Sequence, residues 1–230
     1  MRNVPCALAF VVLLCSGLAI SQNTPSWELS GGYQFTRADI GAVQDLADRL
    51  TVPVGLPRID VGRKLNMSGG NAAIENNVNS WVGGVFDFGG AYGDKHIDLS
   101  TVAQAAGLVP PGTHVQAIFR PTIFTYTGGP QFHYRKHEHI QPFARILAGA
   151  AHSDLGPDSP TEATLNILAP AFKTTSTSFA LIAGLGVDYV WKQHVAFRVS
   201  GDYLRTWLFD EHQGNIRMMA GVDFRFGSTK

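Results

Sequence analysis

Three consecutive residues, His152, Ser153 and Asp154, carry the side chains of a base, a nucleophile and an acid, which acyl transfer and hydrolysis use together. On a β-strand, neighbouring side chains point to opposite faces, so these three cannot form a triad by themselves. His212 and Glu211 could supply partners, but no nucleophile elbow or oxyanion motif accompanies them. We therefore predict no catalytic residue.

A second candidate for chemistry is a group of three histidines with one acid. His137 and His139 would share a face of an extended segment, with Glu138 between them and His133 nearby. Two imidazoles on one face could converge on a metal ion. A polar turn produces such a cluster by chance, however, and no carboxylate of defined geometry completes it. The sequence predicts neither a metal nor a cofactor.

The residues at the end of the chain show a third pattern, in which charged and apolar positions alternate. From Ile216 to Phe226 the even positions are apolar, and the odd positions include Arg217, Asp223 and Arg225. A strand sends successive side chains to opposite faces, so one face is apolar and the other is charged. In a soluble sandwich the charged face would meet water, whereas in a membrane barrel it would line the lumen.

Residues 1–21 have the pattern of a secretory signal peptide. Arg2 gives the positive start, residues 4–20 carry no charge, and the small residues Ala19 and Ser21 predict cleavage before Gln22. The remaining residues, 22–230, show no second core and are predicted to form one domain.

Both cysteines, Cys6 and Cys15, lie in this predicted signal peptide, so the mature chain is expected to have no disulfide. Removal of Arg2 leaves 17 basic against 18 acidic residues, and this balance argues against binding to nucleic acid. No mature segment is long and apolar enough for a membrane helix, so entry into a membrane would require a β-barrel.

Eight strand-like segments follow one another along the mature chain. They are 27–36, 66–76, 81–92, 122–135, 141–151, 178–191, 195–203 and 216–226. Short turns near 77–79, 136–138 and 192–194 alternate with longer connections at 37–65, 93–121, 152–177 and 204–214. This alternation predicts an all-β, eight-stranded antiparallel up-and-down transmembrane β-barrel with short periplasmic turns and longer extracellular loops.

The same strand pattern sorts the charged and aromatic residues. The charged residues expected to point inward are Glu28, Asp87, Arg145, Asp188, Arg198, Asp202, Arg217, Asp223 and Arg225. Side chains fill an eight-stranded barrel, so we expect these charges to pair and close the lumen; a narrow gated ion path is the alternative. The aromatics near strand ends are expected to form interfacial girdles: Trp27, Phe35, Trp81, Tyr92, Tyr134, Tyr189, Trp191, Tyr203 and Phe226.

Helical spacing occurs in the first long connection, where Ile40, Val43, Leu46, Ala47 and Leu50 fall on one face. We expect a short helix packed on a loop here, with an amphipathic segment at the outer leaflet as the alternative. The stretch 99–108 shows a weaker version of this spacing.

Several segments together resemble the OmpA-like outer-membrane β-barrel family, the small eight-stranded, porin-related barrels. The segments are WELSGGY at 27–33, WVGGVFDFGGAY at 81–92, PFAR at 142–145, VAFR at 195–198 with Asp202 and Tyr203, and GVDFRF at 221–226. The resemblance covers essentially the whole mature chain. It is specific for the architecture and leaves the function open, because family members have structural, adhesive and unassigned roles.

This resemblance implies several expectations about place and partners. The protein would be exported to the outer membrane of a Gram-negative-type bacterium and would contact outer-membrane lipid and lipopolysaccharide. Phe224 and Phe226 would form the terminal aromatic signal that the barrel-insertion machinery reads, although residues 227–230 extend past the position where the family usually stops.

Three functions remain open from the sequence. The first is a non-enzymatic outer-membrane barrel with a structural, surface-interaction or limited small-solute permeation role. The second is a lipid-modifying enzyme on the same barrel that uses His152 and Ser153. The third is a soluble periplasmic barrel with an apolar ligand, which would place Phe86, Phe88 and Phe224, together with Val222, inside.

Overall fold

Eight antiparallel strands close into a barrel in the computed structural model, which describes residues 24–162, 173–210 and 212–228. The predicted signal peptide, 1–21, lies outside the described residues. The strands are β1 (Trp27–Asp39), β2 (Lys64–Asn77), β3 (Val82–Tyr92), β6 (Thr122–His133), β7 (Ile140–Asp154), β8 (Thr175–Lys192), β9 (Val195–Thr206) and β10 (Gln213–Phe226). The order around the barrel is β1-β10-β9-β8-β7-β6-β3-β2. The predicted fold class is confirmed.

Strict alternation of side chains determines which face of each strand turns inward. In β9, Arg198, Ser200 and Asp202 are buried inside the barrel, and Phe197 and Val199 are exposed outside. The other barrel strands repeat this period of two, so polar side chains fill the interior and apolar side chains cover the outside.

The barrel closes where the first strand pairs with the last. Trp27 lies opposite Phe226 at this seam, and Glu28 lies opposite Arg225. Gly32 faces Gly221 at a close approach of the two backbones, where a Cβ on Gly32 would sit 2.2 Å from a carbonyl oxygen of β10. Any larger residue at Gly32 would therefore push the seam apart.

The two ends of the barrel differ in their connections. At one end, here called the turn end, the turns 78–81, 134–139 and 193–194 join the strands, and the described residues preceding β1 and following β10 lie there too. The amide of Ser26 donates a hydrogen bond of 2.9 Å to the carbonyl of Phe226 at this end. The opposite end, the loop end, carries the described parts of the connections 40–63, 93–121, 155–174 and 207–212.

The strands extend further toward the loop end than the sequence predicts. β7 continues to Asp154 instead of residue 151, β8 begins at Thr175 instead of residue 178, and β9 and β10 gain three residues each. β6 instead ends at His133, two residues before the predicted end. Serine, threonine, histidine and asparagine are common among the added residues, so the alternation of apolar and polar positions is not visible there in the sequence. Their backbones nevertheless continue the strand pairing.

The first two long connections pack against each other and form a small folded unit. It consists of helix α1 (Gly41–Thr51), helix α2 (Ser100–Ala105) and the hairpin β4 (Lys95–Asp98) with β5 (Gln116–Phe119). Ile97 and Ala117 of the hairpin and Val61 form its core, and Val43 and Ala47 of α1 pack on it. Helix α1 forms where the helical spacing predicts a short helix, and the side chains of Leu46 and Leu50 lie outside the described part.

Helix α2 begins after a hydrogen-bonded turn, because the backbone amide of Ser100 donates to Asp98 Oδ1 at 2.8 Å. The hydrogen bonds that the hydroxyl and the backbone amide of Ser100 donate lower the pKa of Asp98 below its usual value. Among the described residues, no helix has the length and apolar content needed to span a membrane.

Candidate functional site

The largest polar cluster of the described chain lies inside the barrel near the turn end. We call it the turn-end layer; it contains four acids, three arginines and one histidine, namely Glu28, Glu75, Asp188, Asp223, Arg135, Arg198, Arg225 and His133. They come from β1, β2, β6, β8, β9 and β10 and from the turn after β6. All eight are buried.

Arg198 lies at the centre of the turn-end layer. Its Nε donates to Asp188 at 2.7 Å, and its Nη2 lies 3.0 Å from Glu28. Arg225 donates to Asp188 at 3.1 Å and to Asp223 at 2.9 Å, while Arg135 reaches Glu28 from the turn below. These contacts join four strands and the turn after β6 across the lumen, so the layer ties opposite walls together.

A second set of charges, the mid-barrel layer, lies further from the turn end. Arg217 donates to Asp87 at 2.8 Å and to Asp202 at 2.7 Å. Arg145 donates to Asp202 at 2.8 Å and to Asp87 at 3.4 Å. Two acids and two arginines thus form a closed and electrically balanced square with no exposed side-chain surface.

Phe143 separates the two layers. Its ring lies 4.8 Å from the Arg198 guanidinium and 5.9 Å from that of Arg145, distances at which a cation is attracted to a ring face. The ring fits because Gly186 opposite has no side chain; a Cβ there would meet it at 2.3 Å.

Glycines also provide the space that the arginines of the mid-barrel layer need. A Cβ on Gly184 would lie 1.9 Å from Asp202 Oδ1 and 3.3 Å from Arg145. A Cβ on Gly89 would lie 3.0 Å from Arg217 Nη1. Both glycines lie on the inward face of their strands. The narrow lumen therefore accommodates these guanidinium groups next to positions that carry no side chain.

Toward the loop end, apolar side chains continue the filling of the interior. Two clusters of buried residues on different strands lie there: Ala38, Leu65, Met67, Ala91 and Ile123 in one, and Leu147, Ala151, Ala180, Ile182, Leu204 and Leu208 in the other. Ile40 packs on the first of these clusters and on the loop unit above it. These apolar side chains, here called the apolar layer, lie between the charges and the outer mouth, together with the buried polar side chains of Thr206, Gln213 and Asn215.

The structure places all nine charged residues predicted to point inward inside the barrel and in contact with an oppositely charged partner. Glu75, His133 and Arg135 also belong to the site, but the sequence reasoning left them out. Their signal was weak, because the strand with Glu75 has few apolar residues opposite the polar ones. His133 and Arg135 share a face with Gln131, and this parity could have identified them.

The possible catalytic set does not come together. His152 faces outward and its Nδ1 lies 2.7 Å from the hydroxyl oxygen of Thr177, whereas Ser153 is buried on the inward side. His212 packs edge-on against Trp207, and Glu211 lies outside the described residues. The opposed directions of His152 and Ser153 follow from their adjacency on β7.

The three histidines are likewise separated. His133 lies inside the barrel, and His137 and His139 are exposed in the turn below. Within the described part, ligand-type atoms of Glu28, Glu75 and His133 lie within 4.8 Å of one another. Arg198 Nη2 lies 3.0 Å from Glu28 and 3.9 Å from Glu75, so a guanidinium already supplies positive charge at this position.

The outer surface of the barrel is apolar and rich in aromatic rings. Phe86 is 53% exposed and Phe224 is 46% exposed, and Phe88 and Val222 lie on the same outward face. This placement is the reverse of a soluble barrel, so the soluble periplasmic interpretation is wrong. The aromatics exposed near strand ends are Trp27, Trp81, Tyr92, Tyr189, Trp191, Tyr203 and Phe226. Phe35 and Tyr134, also predicted for the girdles, are half-buried.

A closed eight-stranded barrel with a charged interior and an apolar exterior defines a transmembrane β-barrel of the small outer-membrane type. Neisserial surface protein A has a similar structure, with a TM-score of 0.50 and 11% identity over 87% of this chain and 97% of that chain. Ail, the attachment invasion locus protein of Yersinia pestis, gives 0.49 and 18% over 87% and 99%. The outer membrane protein OprG from Pseudomonas aeruginosa gives 0.45 and 12% over 90% and 98%.

The similarity to neisserial surface protein A extends to the fold and confirms, at that level, the predicted resemblance to small outer-membrane barrels. No family model matches the chain, and a search of curated proteins finds no match to its sequence.

Proposed function

We propose that the protein is an integral outer-membrane β-barrel whose lumen is closed by paired charges, and that it acts through its surface and loops. The observation that carries this proposal is the inversion of polarity. Twelve charged or titratable side chains are buried inside the wall, and aromatic and aliphatic side chains cover its outside. Such an arrangement is stable only with hydrocarbon around it and little free water within it.

Closure of the lumen is supported by the filling of its whole length. The turn-end layer, Phe143, the mid-barrel layer and the apolar layer follow one another from one end to the other. An eight-stranded barrel has room for its own side chains but not for a wide channel. The proposal therefore excludes a general porin and leaves, at most, limited permeation of small solutes.

Action at the surface is supported by the asymmetry of the two ends. The turn end has three tight connections, whereas the loop end carries a folded unit with two helices and a hairpin. Extra folded structure at one end of a barrel presents side chains without being needed to close the sheet. Lipopolysaccharide and outer-membrane lipid are the expected neighbours of this end.

Assembly in the membrane would use the end of β10. Phe224 and Phe226 face outward at the turn end and are the last aromatics of the described chain. An exposed terminal aromatic fits recognition by a barrel-insertion machinery. A lipid-modifying function is not proposed, because His152 and Ser153 diverge.

Fractionation and permeability together test the proposal. After expression in a Gram-negative host, the protein should stay with outer membranes washed in alkaline carbonate or in urea. Liposomes that contain the refolded protein should swell in sugar solutions no faster than empty liposomes, with a general porin as the positive control. Full release by the washes would contradict membrane integration, and porin-like swelling would contradict the closed lumen.

A further inference from the structure

The two charged layers differ in their balance of charge. In the mid-barrel layer, Asp87 and Asp202 match Arg145 and Arg217. In the turn-end layer, four carboxyl groups face only three guanidinium groups, and the remaining titratable group is His133. A buried net charge is very costly, so the folded layer requires one more positive charge.

Glu75 and His133 are the pair that can supply this charge. His133 Nε2 lies 2.6 Å from Glu75 Oε1, and both side chains are at least 99% buried. Gln131 Nε2 donates to the other oxygen of Glu75 at 2.8 Å. A hydrogen atom must lie between these atoms at 2.6 Å, because two lone pairs would repel. A neutral imidazole can provide it from Nε2–H, so the extra proton is indicated by the charge balance of the layer and the contact gives it a place to bind.

The neighbours of the pair come from every side of the lumen. Glu28 on β1 and Asp188 on β8 are negative, and Arg198 on β9 and Arg135 in the turn are positive. Asp223 and Arg225 on β10 form their own pair at 2.9 Å. Apart from Glu75, the acids and arginines of this layer balance one another three to three.

We infer that the turn-end layer is a proton-binding site, in which the Glu75–His133 pair holds one proton that keeps the layer neutral and links barrel stability to pH. The pair is neutral whether the proton lies on the oxygen or on the nitrogen. This inference concerns the lumen whose closure is proposed above, and it goes beyond closure by naming the ion that the interior takes up.

The sign of the pH dependence follows from counting protons. In the unfolded chain, glutamate loses its proton near pH 4.3 and histidine near about 6.5. Above about pH 6.5 the folded pair therefore holds one proton more than the unfolded pair. The unfolding equilibrium constant should then rise tenfold for each pH unit from about 6.5 up to the pH at which the folded pair releases its proton, and the pair should contribute no slope between about 4.3 and 6.5.

Two variants locate the proton, with unfolding in urea measured in detergent micelles from pH 5 to pH 9. Glu75→Gln leaves three acids against three arginines, so the tenfold-per-unit rise above pH 6.5 should disappear. In His133→Gln the proton must stay on Glu75, so the tenfold-per-unit slope should already be present between pH 5 and about 6.5, where the wild type has none from this pair. The other histidines are present in all three proteins, so their contribution cancels in the comparison.

A direct measurement keeps the inference testable if a variant fails to fold. In folded wild-type protein with ¹⁵N-labelled histidine, the ring resonances of buried His133 should not change between pH 6 and pH 7. A change of the His133 resonances centred near about pH 6.5, the value of a free imidazole, would overturn the inference. An equal slope in wild type and Glu75→Gln would also overturn it, without bearing on whether the lumen conducts.

Discussion

At the scale of single residues, the interior depends on charges that are acceptable only in pairs. Breaking a buried pair costs about 3–5 kcal/mol, because the remaining charge is left uncompensated, whereas an intact pair adds little net stability over apolar packing. Arg217 and Arg145 each contact both Asp87 and Asp202, so each of these carboxylates has two guanidinium partners. The mid-barrel layer thus specifies which strands face each other more than it strengthens the barrel.

Replacement of Arg217 by methionine should lower the free energy of unfolding by about 3–5 kcal/mol. The reason is that Asp87 and Asp202 would then share only Arg145. The matched control is Arg37→Met, since Arg37 is exposed on the outward side of β1. Unfolding in urea measures both, and equal stability of the two variants would contradict the ion-pair account.

Gly184→Ala should destabilise the barrel by about 1–3 kcal/mol through overpacking. The new methyl group would meet Asp202 Oδ1 at 1.9 Å and displace the contact with Arg145. Gly201→Ala on the neighbouring strand is the control, because a Cβ there meets nothing within 4 Å. If both variants unfold at the same urea concentration, the space left by Gly184 has no energetic role.

At the scale of the elements, the sequence predicts the strands well and their ends less well. Period-two alternation identifies all eight barrel strands because hydrocarbon on one side and side-chain packing on the other select opposite residue types. The hairpin β4–β5 escapes this reasoning, because each of its strands has only four residues. Its core forms with α1, from a different loop, and such long-range packing leaves no local pattern.

Phe226→Ala should reduce the amount of assembled protein, because this ring ends the last strand on the lipid side. Deletion of residues 227–230 should be tolerated. Phe86→Ala is the control, since that ring is similarly exposed but lies mid-strand. Heat-modifiable gel mobility of outer membranes quantifies assembly, and equal amounts of wild type and Phe226→Ala would refute a role in assembly.

At the scale of the whole molecule, the inward residues could be predicted from parity, but their partners could not. Asp87 and Arg217 are 130 positions apart, and only barrel closure and strand register bring them within 2.8 Å. The difference in net charge between the two layers cannot be predicted from composition either, because the whole chain has no net charge. It is seen only when the strand register assigns each charged residue to a layer. Glu75 and His133 then become a pair only through the positions of β2 and β6 on either side of β3.

The central claim is that side chains close this barrel along its length. Electrical recording across a planar bilayer tests it most directly, with the refolded protein added at neutral pH and a general porin recorded under the same conditions. The closed lumen predicts no stable, large conductance step while the porin conducts. A large and stable conductance that also passes sugars would show that the interior is an open channel and would contradict the account.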